Sequence, residues 1–282
     1  MKKNGAKAIV QIHHGGAQAL PELTPDGDVV APSAISLKSF GQQEEHDARE
    51  MTAEEIEQTI RDFGEATRRA IEAGFDGVEI HGANHYLIHQ FVSPYYNRRN
   101  DVWADNYKFP VAVIDEVIKA KKAHANDDFI IGYRLSPEEA ESPGISMEIT
   151  EELIHQIANK PLDYIHVSLM DVNSVTREGK YKGENRLKLI HQWINGRMPL
   201  IGIGSVFTAE DALTAVENIG VEFVALGREI LLDYDFVAKI KKGREDEIIN
   251  AFDPNREDQH YLTPNLWEQF NQGFYPLPRK DK

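Results

Sequence analysis

Polar side chains follow the short apolar runs of this sequence at the points where those runs end. They are Gln11, His13 and His14 at the first run, His81, Asn84 and Tyr86 after the second, Arg134 in the third, Ser205 after the fifth and Arg228 after the sixth. Glycines accompany the last two positions as Gly202, Gly204 and Gly227. Glycine lets backbone N–H groups approach an anion closely, and an arginine adds a bidentate contact. These residue types predict a polar site that includes a phosphate-binding part.

The apolar runs are typical of β-strands in a covered parallel sheet, because they are rich in β-branched residues and apolar almost throughout. The six runs are Lys7–Ile12, Asp76–Ile80, Phe129–Leu135, Tyr164–Leu169, Pro199–Ile203 and Glu222–Leu226. Helical patterns separate them. A capping box at Thr52 opens one helix, a second begins at Thr208 and ends at Gly220, and a third spans about 235–248. Strands that alternate with helices indicate βα units.

Two observations favour a closed barrel over an open sheet. A doubly wound sheet carries its glycine-rich turn after the first strand, and no GxGxxG occurs here. The glycines follow the last two strands instead, where a (β/α)8 barrel builds its phosphate site. We therefore predict a TIM (β/α)8 barrel with about six of its eight βα units present, in one domain that spans residues 1–282. The polar residues would converge at the carboxyl ends of the strands.

Two further segments are predicted to be accessory to the barrel. The polar excursion at 17–49 is expected to form a hairpin or a lid. Residues 251–282 are expected to form a tail that packs on the barrel through Trp267, Phe270, Phe274 and Tyr275.

Composition excludes several classes of function. The 282 residues carry a net charge of −15 at pH 7, which repels the phosphates of nucleic acids. The absence of cysteine excludes disulfides, thiolate zinc sites and iron–sulfur clusters. No apolar run approaches the roughly 18 residues of a membrane span, and His, Asp and Glu show no metal-ligand spacing. We expect a cytoplasmic protein with a small-molecule substrate, without a nucleic-acid, membrane or metal partner, and leave a homo-oligomer open.

Five segments in the same order resemble the Old Yellow Enzyme family of flavin-dependent oxidoreductases. They are VQIHHGG (10–16), GFDGVEIHGANHYLIHQFVSPYYNRRND (74–101), IGYRLSPEE (131–139), IGIGSVFTAEDA (201–212) and FVALGREILLD (223–233). The resemblance covers nearly the whole chain. It implies an FMN cofactor, with NADH or NADPH as the reductant.

The resemblance also implies how the cofactor is held. Gln11 would contact the pyrimidine edge of the flavin, and Arg134 would place a cation near N1 and O2, where charge develops on reduction. The FMN phosphate would be held by Gly204, Ser205, Gly227 and Arg228.

The same resemblance implies the catalytic residues. His81 and Asn84 would donate hydrogen bonds to a substrate carbonyl oxygen, and Tyr86 would protonate the α-carbon of an activated alkene such as an enone, while hydride passes through FMN to the β-carbon. One alternative is an NADH:flavin oxidase that passes electrons to oxygen or a quinone. Another is a catalytically inactive fragment that persists by associating with a partner.

Each candidate residue also has a structural interpretation. His81, Asn84 and Tyr86 could form a buried polar network that braces a loop, Gln11 could be an ordinary strand residue, and Arg134 could pair with Glu79 or another carboxylate. The two glycine-rich segments could be tight turns only. His13 and His14 point to opposite faces of a strand, so at most one faces the site, and packing is favoured over catalysis.

The sequence departs from the family pattern in three places. Ala17 stands where the family continues into arginine, and VWADNYKFP (102–110) replaces a Gly-Gly-Ser and Glu-Asn-Arg stretch. The family also carries two βα units before the strand that holds Gln11. We therefore expect an N-terminally truncated barrel.

Overall fold

The computed structural model describes residues 2–260, 262–273 and 276–280, so the predicted tail residues Phe274 and Tyr275 lie outside the described residues. It divides the chain into two compact units, one of Met1–Ser168 with Val175–Leu200 and one of Leu169–Ser174 with Ile201–Lys282. Within the described residues, no helix combines the length and the apolar character that crossing a membrane requires.

The first unit is built on four parallel strands with helices between them. Its elements in chain order are β1 (Ile9–Ile12), β2 (Val30–Ala31), β3 (Ile35–Leu37), β4 (His46–Glu50), α1 (Ala53–Glu72), β5 (Gly77–Gly82), α2 (Leu87–Val92), α3 (Lys108–His124), β6 (Ile130–Leu135), α4 (Met147–Ile157), β7 (Tyr164–Val167) and α5 (Arg186–Ile194). β1, β5, β6 and β7 pair in that order, each parallel to its neighbour. The predicted βα alternation is confirmed here.

The register of these strands separates an apolar face from a polar one. Ile80, Tyr133 and Ile165 lie side by side and are fully buried. Successive side chains of a strand point to opposite faces, so the rows on either side of this apolar row share the other face. Those rows are Gln11, Glu79, Gly132 and Tyr164, and then His81, Arg134 and His166. The polar face holds most of the candidate site residues of this unit.

Helix α1 begins with the predicted capping box. The Thr52 hydroxyl accepts a hydrogen bond from the Glu55 N–H at 3.2 Å, and the Glu55 carboxylate accepts one from the Thr52 N–H at 2.8 Å. This reciprocal pair satisfies two N–H groups that the helix start would otherwise leave unbonded. The helix buries Ile56 and Phe63 on one face and packs against α3.

The excursion at 17–49 forms a small sheet of its own, with β4 between the parallel β2 and the antiparallel β3. Ala31, Ala48 and Tyr96 are part of its buried core. Phe40, in the turn between β3 and β4, is 59% exposed, and its ring centroid lies 6.4 Å from that of Tyr86. The predicted hairpin is confirmed, and its tip contacts a candidate catalytic residue.

The second unit contains β9 and β8 from Ile201 onward, while Leu200, the first residue of β8, is the last residue of the first unit. Its elements are β8 (Leu200–Ile203), α6 (Ala209–Leu213), β9 (Phe223–Ala225), α7 (Arg228–Leu232), α8 (Phe236–Lys241) and α9 (Pro264–Asn271), and β8 and β9 pair parallel. After α6 a π-helical stretch continues to Gly220, as predicted. The predicted helix at 235–248 is wrong in length. Gly243 adopts a positive φ of 65°, which a helix cannot continue through, and the helix ends at Lys241.

Candidate active site

Three aromatic side chains meet where β1 and β5 end. The ring centroids of His81 and Tyr86 lie 5.4 Å apart, and the ring of His13 lies 6.0 Å from His81 and 5.0 Å from Tyr86. His14 turns the other way, and its Nδ1 accepts a hydrogen bond from the Gly16 N–H at 3.0 Å. The structure therefore brings His81 and Tyr86 together and places His13, which the sequence analysis assigned to packing, directly beside both.

Asn84 lies in the turn between β5 and α2, in a backbone conformation with φ of +57° that asparagine tolerates better than most residues. Its Oδ1 accepts hydrogen bonds from the hydroxyls of Ser136 at 3.2 Å and Ser168 at 2.9 Å. Its own N–H donates to the Ser136 hydroxyl at 2.9 Å. Because both serines bond the oxygen, the Nδ2 group is the part of the amide that remains to donate to another molecule.

Burial, reinforced by the nearby Arg134 cation, lowers the pKa of His81 to about 4. The ring is therefore neutral near pH 7, and a neutral imidazole still carries one N–H donor. A neutral donor can polarise a carbonyl oxygen without transferring its proton completely.

Arg134 is a half-buried cation that forms no salt bridge among the described residues. One of its terminal N–H groups donates to the Ser168 hydroxyl at 3.1 Å, and its Nε is buried with no hydrogen-bond partner. Burial lowers the pKa of this guanidinium, yet arginine stays charged near neutral pH. The pairing with Glu79 that the sequence left open is not formed. An unpaired buried N–H at this position suits an incoming acceptor atom.

Glu79 bonds three other side chains of the polar face instead. Its Oε1 accepts from Gln11 Nε2 at 2.5 Å, and its Oε2 accepts from the Tyr164 hydroxyl at 3.0 Å and from His166 Nδ1 at 2.9 Å. Burial raises the pKa of Glu79, but these hydrogen bonds and the His166 ring outweigh it and leave the pKa below its usual value. An ionised carboxylate only accepts, so the Gln11 amide must turn its nitrogen toward Glu79 and present its oxygen elsewhere.

Gly132 makes this arrangement possible. A Cβ at position 132 would lie 2.1 Å from the Tyr164 ring, far inside van der Waals contact. The missing side chain lets Tyr164 extend across β6 to reach Glu79 on β5. Sequence reasoning did not assign Glu79, Tyr164 or His166 to the site.

The second unit brings together Ser205 and Arg228, two of the predicted phosphate ligands. The Arg228 guanidinium donates to the Ser205 hydroxyl at 3.1 Å and to the carbonyls of Met170 and Pro276 at 3.1 and 2.8 Å. Its central carbon lies 5.1 Å from the centroid of the Phe207 ring. Within the described residues the guanidinium has no carboxylate partner, so its charge is available to an anion.

The backbone at the same place is also suited to an anion. In the part of the chain that the structure describes, the N–H groups of Gly204 and Gly227 donate no hydrogen bond. Gly204 has a φ of +131°, and a Cβ there would lie 2.5 Å from the Asp171 nitrogen, so only glycine fits. Burial and the Asp233 carboxylate raise the pKa of Glu229, the residue after Arg228 in the sequence, to about 8. The predicted phosphate ligands thus offer backbone N–H groups and a guanidinium as donors, while the Ser205 hydroxyl already donates to the Met170 carbonyl at 2.7 Å.

Comparison with known proteins identifies a family to which this sequence is similar. The model of the NADH:flavin oxidoreductase / NADH oxidase family matches residues 1–247. A probable NADH-dependent flavin oxidoreductase of Bacillus subtilis (strain 168), YqiG, is 47% identical over 98% of this chain and 74% of its own length. The NADH:fumarate oxidoreductase of Klebsiella pneumoniae (strain 342) is 39% identical over 95% of this chain. The chain spans only 29% of that longer relative.

Solved structures show the same fold. Morphinone reductase in complex with tetrahydroNAD superimposes with a TM-score of 0.67 at 24% sequence identity, over 85% of this chain and 67% of that one. The likeness bears on the fold alone, and it confirms the predicted (β/α)8-barrel class.

Proposed function

This chain belongs to the NADH:flavin oxidoreductase / NADH oxidase family, the family of Old Yellow Enzyme, and on that premise we propose that it reduces activated alkenes. Its cofactor is FMN, and its reductant is NADH or NADPH. FMN bound here would supply the hydride transfer from the nicotinamide to the β-carbon of an enone or enoate. The residues of this chain bind the cofactor, orient the substrate and supply the proton.

One observation carries the proposal: the Tyr86 phenol lies beside the neutral His81 ring, in the turn that also presents the Asn84 amide. The His81 N–H and the free Nδ2 group of Asn84 donate to the carbonyl or carboxyl oxygen of the substrate and stabilise the negative charge that grows there as hydride arrives. Tyr86, with its ring 5.4 Å from His81, gives the proton to the α-carbon. Hydride and proton together saturate the double bond.

The residues present fit the proposed cofactor. Arg134 offers a half-buried guanidinium, whose Nε has no partner among the described residues, to the N1/O2 edge of the flavin, where charge develops on reduction. Gln11 offers its amide oxygen, an acceptor that suits an N–H on the pyrimidine edge. Gly204, Gly227 and Arg228 offer donors to the phosphate, and the Ser205 hydroxyl, which donates to Met170, holds the guanidinium by accepting from it.

The proposed acceptor is an alkene activated by a carbonyl or carboxyl group. A relative bears the name NADH:fumarate oxidoreductase, and fumarate is such an alkene. The test is to reduce the FMN-loaded chain with NADH in the absence of oxygen and then mix it with 2-cyclohexenone, fumarate, oxygen or a quinone. Faster reoxidation by an alkene supports the proposal. Reoxidation by oxygen or quinone alone would make the protein an NADH oxidase.

Replacing Arg228 with alanine is expected to weaken FMN binding by about 1.5–3 kcal/mol, the range for a hydrogen bond to a charged group. The measurement is quenching of FMN fluorescence on titration with apoprotein. Riboflavin, which lacks the phosphate, should bind the native and variant proteins equally. An equal loss for riboflavin and FMN would show that Arg228 only supports the fold of its unit.

Replacing Glu79 with glutamine is expected to weaken FMN binding by about 0.5–1.5 kcal/mol, because Gln11 loses the carboxylate that orients its amide. The same titration on Glu79→Gln, Gln11→Ala and the double variant tests whether the effect acts through Gln11. The double variant should bind FMN little worse than Gln11→Ala alone, since the two residues act as a pair. If the losses of FMN affinity in the two single variants add up in the double variant, Glu79 does not act through Gln11.

A further inference from the structure

The turn between β5 and α2 places two histidines against a buried glutamate. His89 Nε2 lies 2.7 Å from Glu139 Oε2, and His85 Nδ1 lies 3.7 Å from the same oxygen. One ligand atom from each of the three residues lies within 4.8 Å of the others. We propose that His85, His89 and Glu139 form a binding site for a divalent transition-metal ion, with Zn²⁺ as the preferred ion. This proposal does not depend on the reaction proposed above.

The distances fit a zinc ion with little movement. Zn–N and Zn–O bonds of about 2.0–2.2 Å in a tetrahedral arrangement hold the ligand atoms roughly 3.4 Å apart. The two separations from Glu139, 2.7 and 3.7 Å, lie on either side of this value, and all three ligand atoms lie within 4.8 Å of one another. Side-chain movements of about 1 Å would therefore bring the atoms to the spacing that the ion needs. Two imidazoles and one carboxylate are a donor set that zinc uses when it keeps a fourth position open.

The charges around Glu139 also favour a cation. Its side chain is 0% exposed, and its Oε1 accepts hydrogen bonds from the Ser93 hydroxyl and from the Ile145 N–H. No lysine or arginine pairs with this carboxylate in the described part of the chain, where the ionisable side chains that contact it are the two histidines. A buried carboxylate without a cation is costly, and a divalent ion removes that cost.

A second carboxylate lies close enough to act on the same cluster. Glu141 influences His85 electrostatically, and its Oε2 is buried without a hydrogen-bond partner among the described residues. Glu141 thus adds negative charge near the cluster, whereas its own carboxylate lies outside the group whose ligand atoms come within 4.8 Å of one another.

The histidine ligand atoms can reach an ion. Among the described residues, the Nδ1 atom of His85 is buried and forms no hydrogen bond, and the Nε2 atom of His89 bonds Glu139, which is itself the third ligand. His85 is 24% exposed, whereas His89 is 0% exposed, so an ion can enter from the side of His85. The two rings lie 4.6 Å apart between centroids, which keeps both near one point.

The sequence shows no metal-ligand spacing because the three proposed ligands come from segments that are far apart along the chain. His85 and His89 are four residues apart, but Glu139 lies 50 residues further along, in the segment after β6. His85 also lies directly between Asn84 and Tyr86. An ion bound here would hold the turn that presents both of these residues, and its role is to position that turn.

The test is direct metal binding by the chelator-treated full chain, with zinc sulfate as the probe in isothermal titration calorimetry at pH 7.5. We expect one Zn²⁺ per chain with a Kd of about 1 μM or tighter, and a rise in the melting temperature as zinc is added. Co²⁺ in the same site should give the visible absorption of a four- or five-coordinate ion. His85→Asn and His89→Gln should each weaken zinc binding by about tenfold or more, since each removes one ligand.

His155→Asn is the matched control, because His155 is an exposed histidine of α4, outside the cluster. This variant should bind zinc like the native chain. His85→Asn keeps the test valid if His89→Gln fails to fold, because asparagine tolerates the positive φ of 60° at this position. The proposal is overturned if the native chain binds no zinc at 100 times the expected Kd. It is equally overturned if a folded His85→Asn chain binds zinc as tightly as the native chain.

Discussion

Replacing His81 with alanine is expected to slow reduction of an enone by about 10²–10³-fold, the range for removing one preorganised donor to a developing oxyanion. Reduction of the bound flavin by NADH or NADPH should change by less than about tenfold, since no substrate carbonyl takes part in that step. The measurement is anaerobic stopped-flow spectroscopy of the two half-reactions, followed by flavin absorbance.

The neutral state of His81, with its pKa lowered to about 4, also predicts that the native rate of alkene reduction does not follow a histidine titration between pH 6 and 8.

His13→Ala is the matched control for this experiment. The His13 ring lies 6.0 Å from His81 and 5.0 Å from Tyr86, so its removal disturbs the same cluster without removing the proposed donor. We expect an effect on alkene reduction below about tenfold, or 1.4 kcal/mol. Equal losses in both half-reactions of His81→Ala would instead show that His81 supports the structure around the flavin.

The positions of the strands were predictable because the signal is local. A run such as Phe129–Leu135 is apolar except for Arg134, and β6 occupies Ile130–Leu135. The capping box at Thr52 was equally predictable, since its two hydrogen bonds join residues that are three apart in the sequence. Helix α4 (Met147–Ile157) was not predicted. Ser146 caps it by accepting from the Ile149 N–H, a weaker signal than a reciprocal box.

The partners of the candidate site were predictable only in part. The sequence shows that Gln11 can donate and accept hydrogen bonds, but it does not show with which residue. Its partner Glu79 lies 68 residues further along the chain, and Tyr164, which bonds the same carboxylate, lies 85 residues beyond Glu79. Such contacts depend on strand register, which the sequence of one strand does not specify. The same reason explains why Arg134 bonds Ser168 and not Glu79, the alternative partner that the sequence left open.

The chain has a net charge of −15, and two arginines belong to its candidate site. Arg134 and Arg228 have no carboxylate partner in the described residues, although 46 acidic residues surround 31 basic ones in the sequence. An acidic protein repels anions at long range, so it must bind them through local groups that its own carboxylates do not neutralise. Arg61, Arg98 and Arg197 also bond only neutral groups in the described residues, so a missing carboxylate alone does not mark a site. What favours an anion is the buried, unbonded Nε of Arg134 and the backbone N–H groups of Gly204 and Gly227, which donate no hydrogen bond in the described residues.

Replacing Tyr86 with phenylalanine is expected to slow reduction of a weakly activated alkene by about 10²-fold, the loss of a general acid. The change removes only the hydroxyl, which forms no hydrogen bond among the described residues, and the backbone of Tyr86 stays fixed because its carbonyl accepts from the Gln90 N–H at 2.8 Å. Strongly activated alkenes should be affected less, since hydride transfer then proceeds with little help from the proton. Flavin reduction by NADH or NADPH should be unchanged.

Tyr107→Phe is the matched control, because it removes a phenol hydroxyl at the start of α3, in a different segment of the same unit. It should leave both half-reactions at the native rate. The measurement that bears on proton donation is the solvent deuterium isotope effect on alkene reduction. In the native protein the Tyr86 proton moves in the step, so deuterium oxide should slow it, and in Tyr86→Phe the slower residual reaction should depend on water as the donor. A Tyr86→Phe protein that reduces weakly activated alkenes at the native rate would assign the proton to solvent and leave Tyr86 with a packing role against His81.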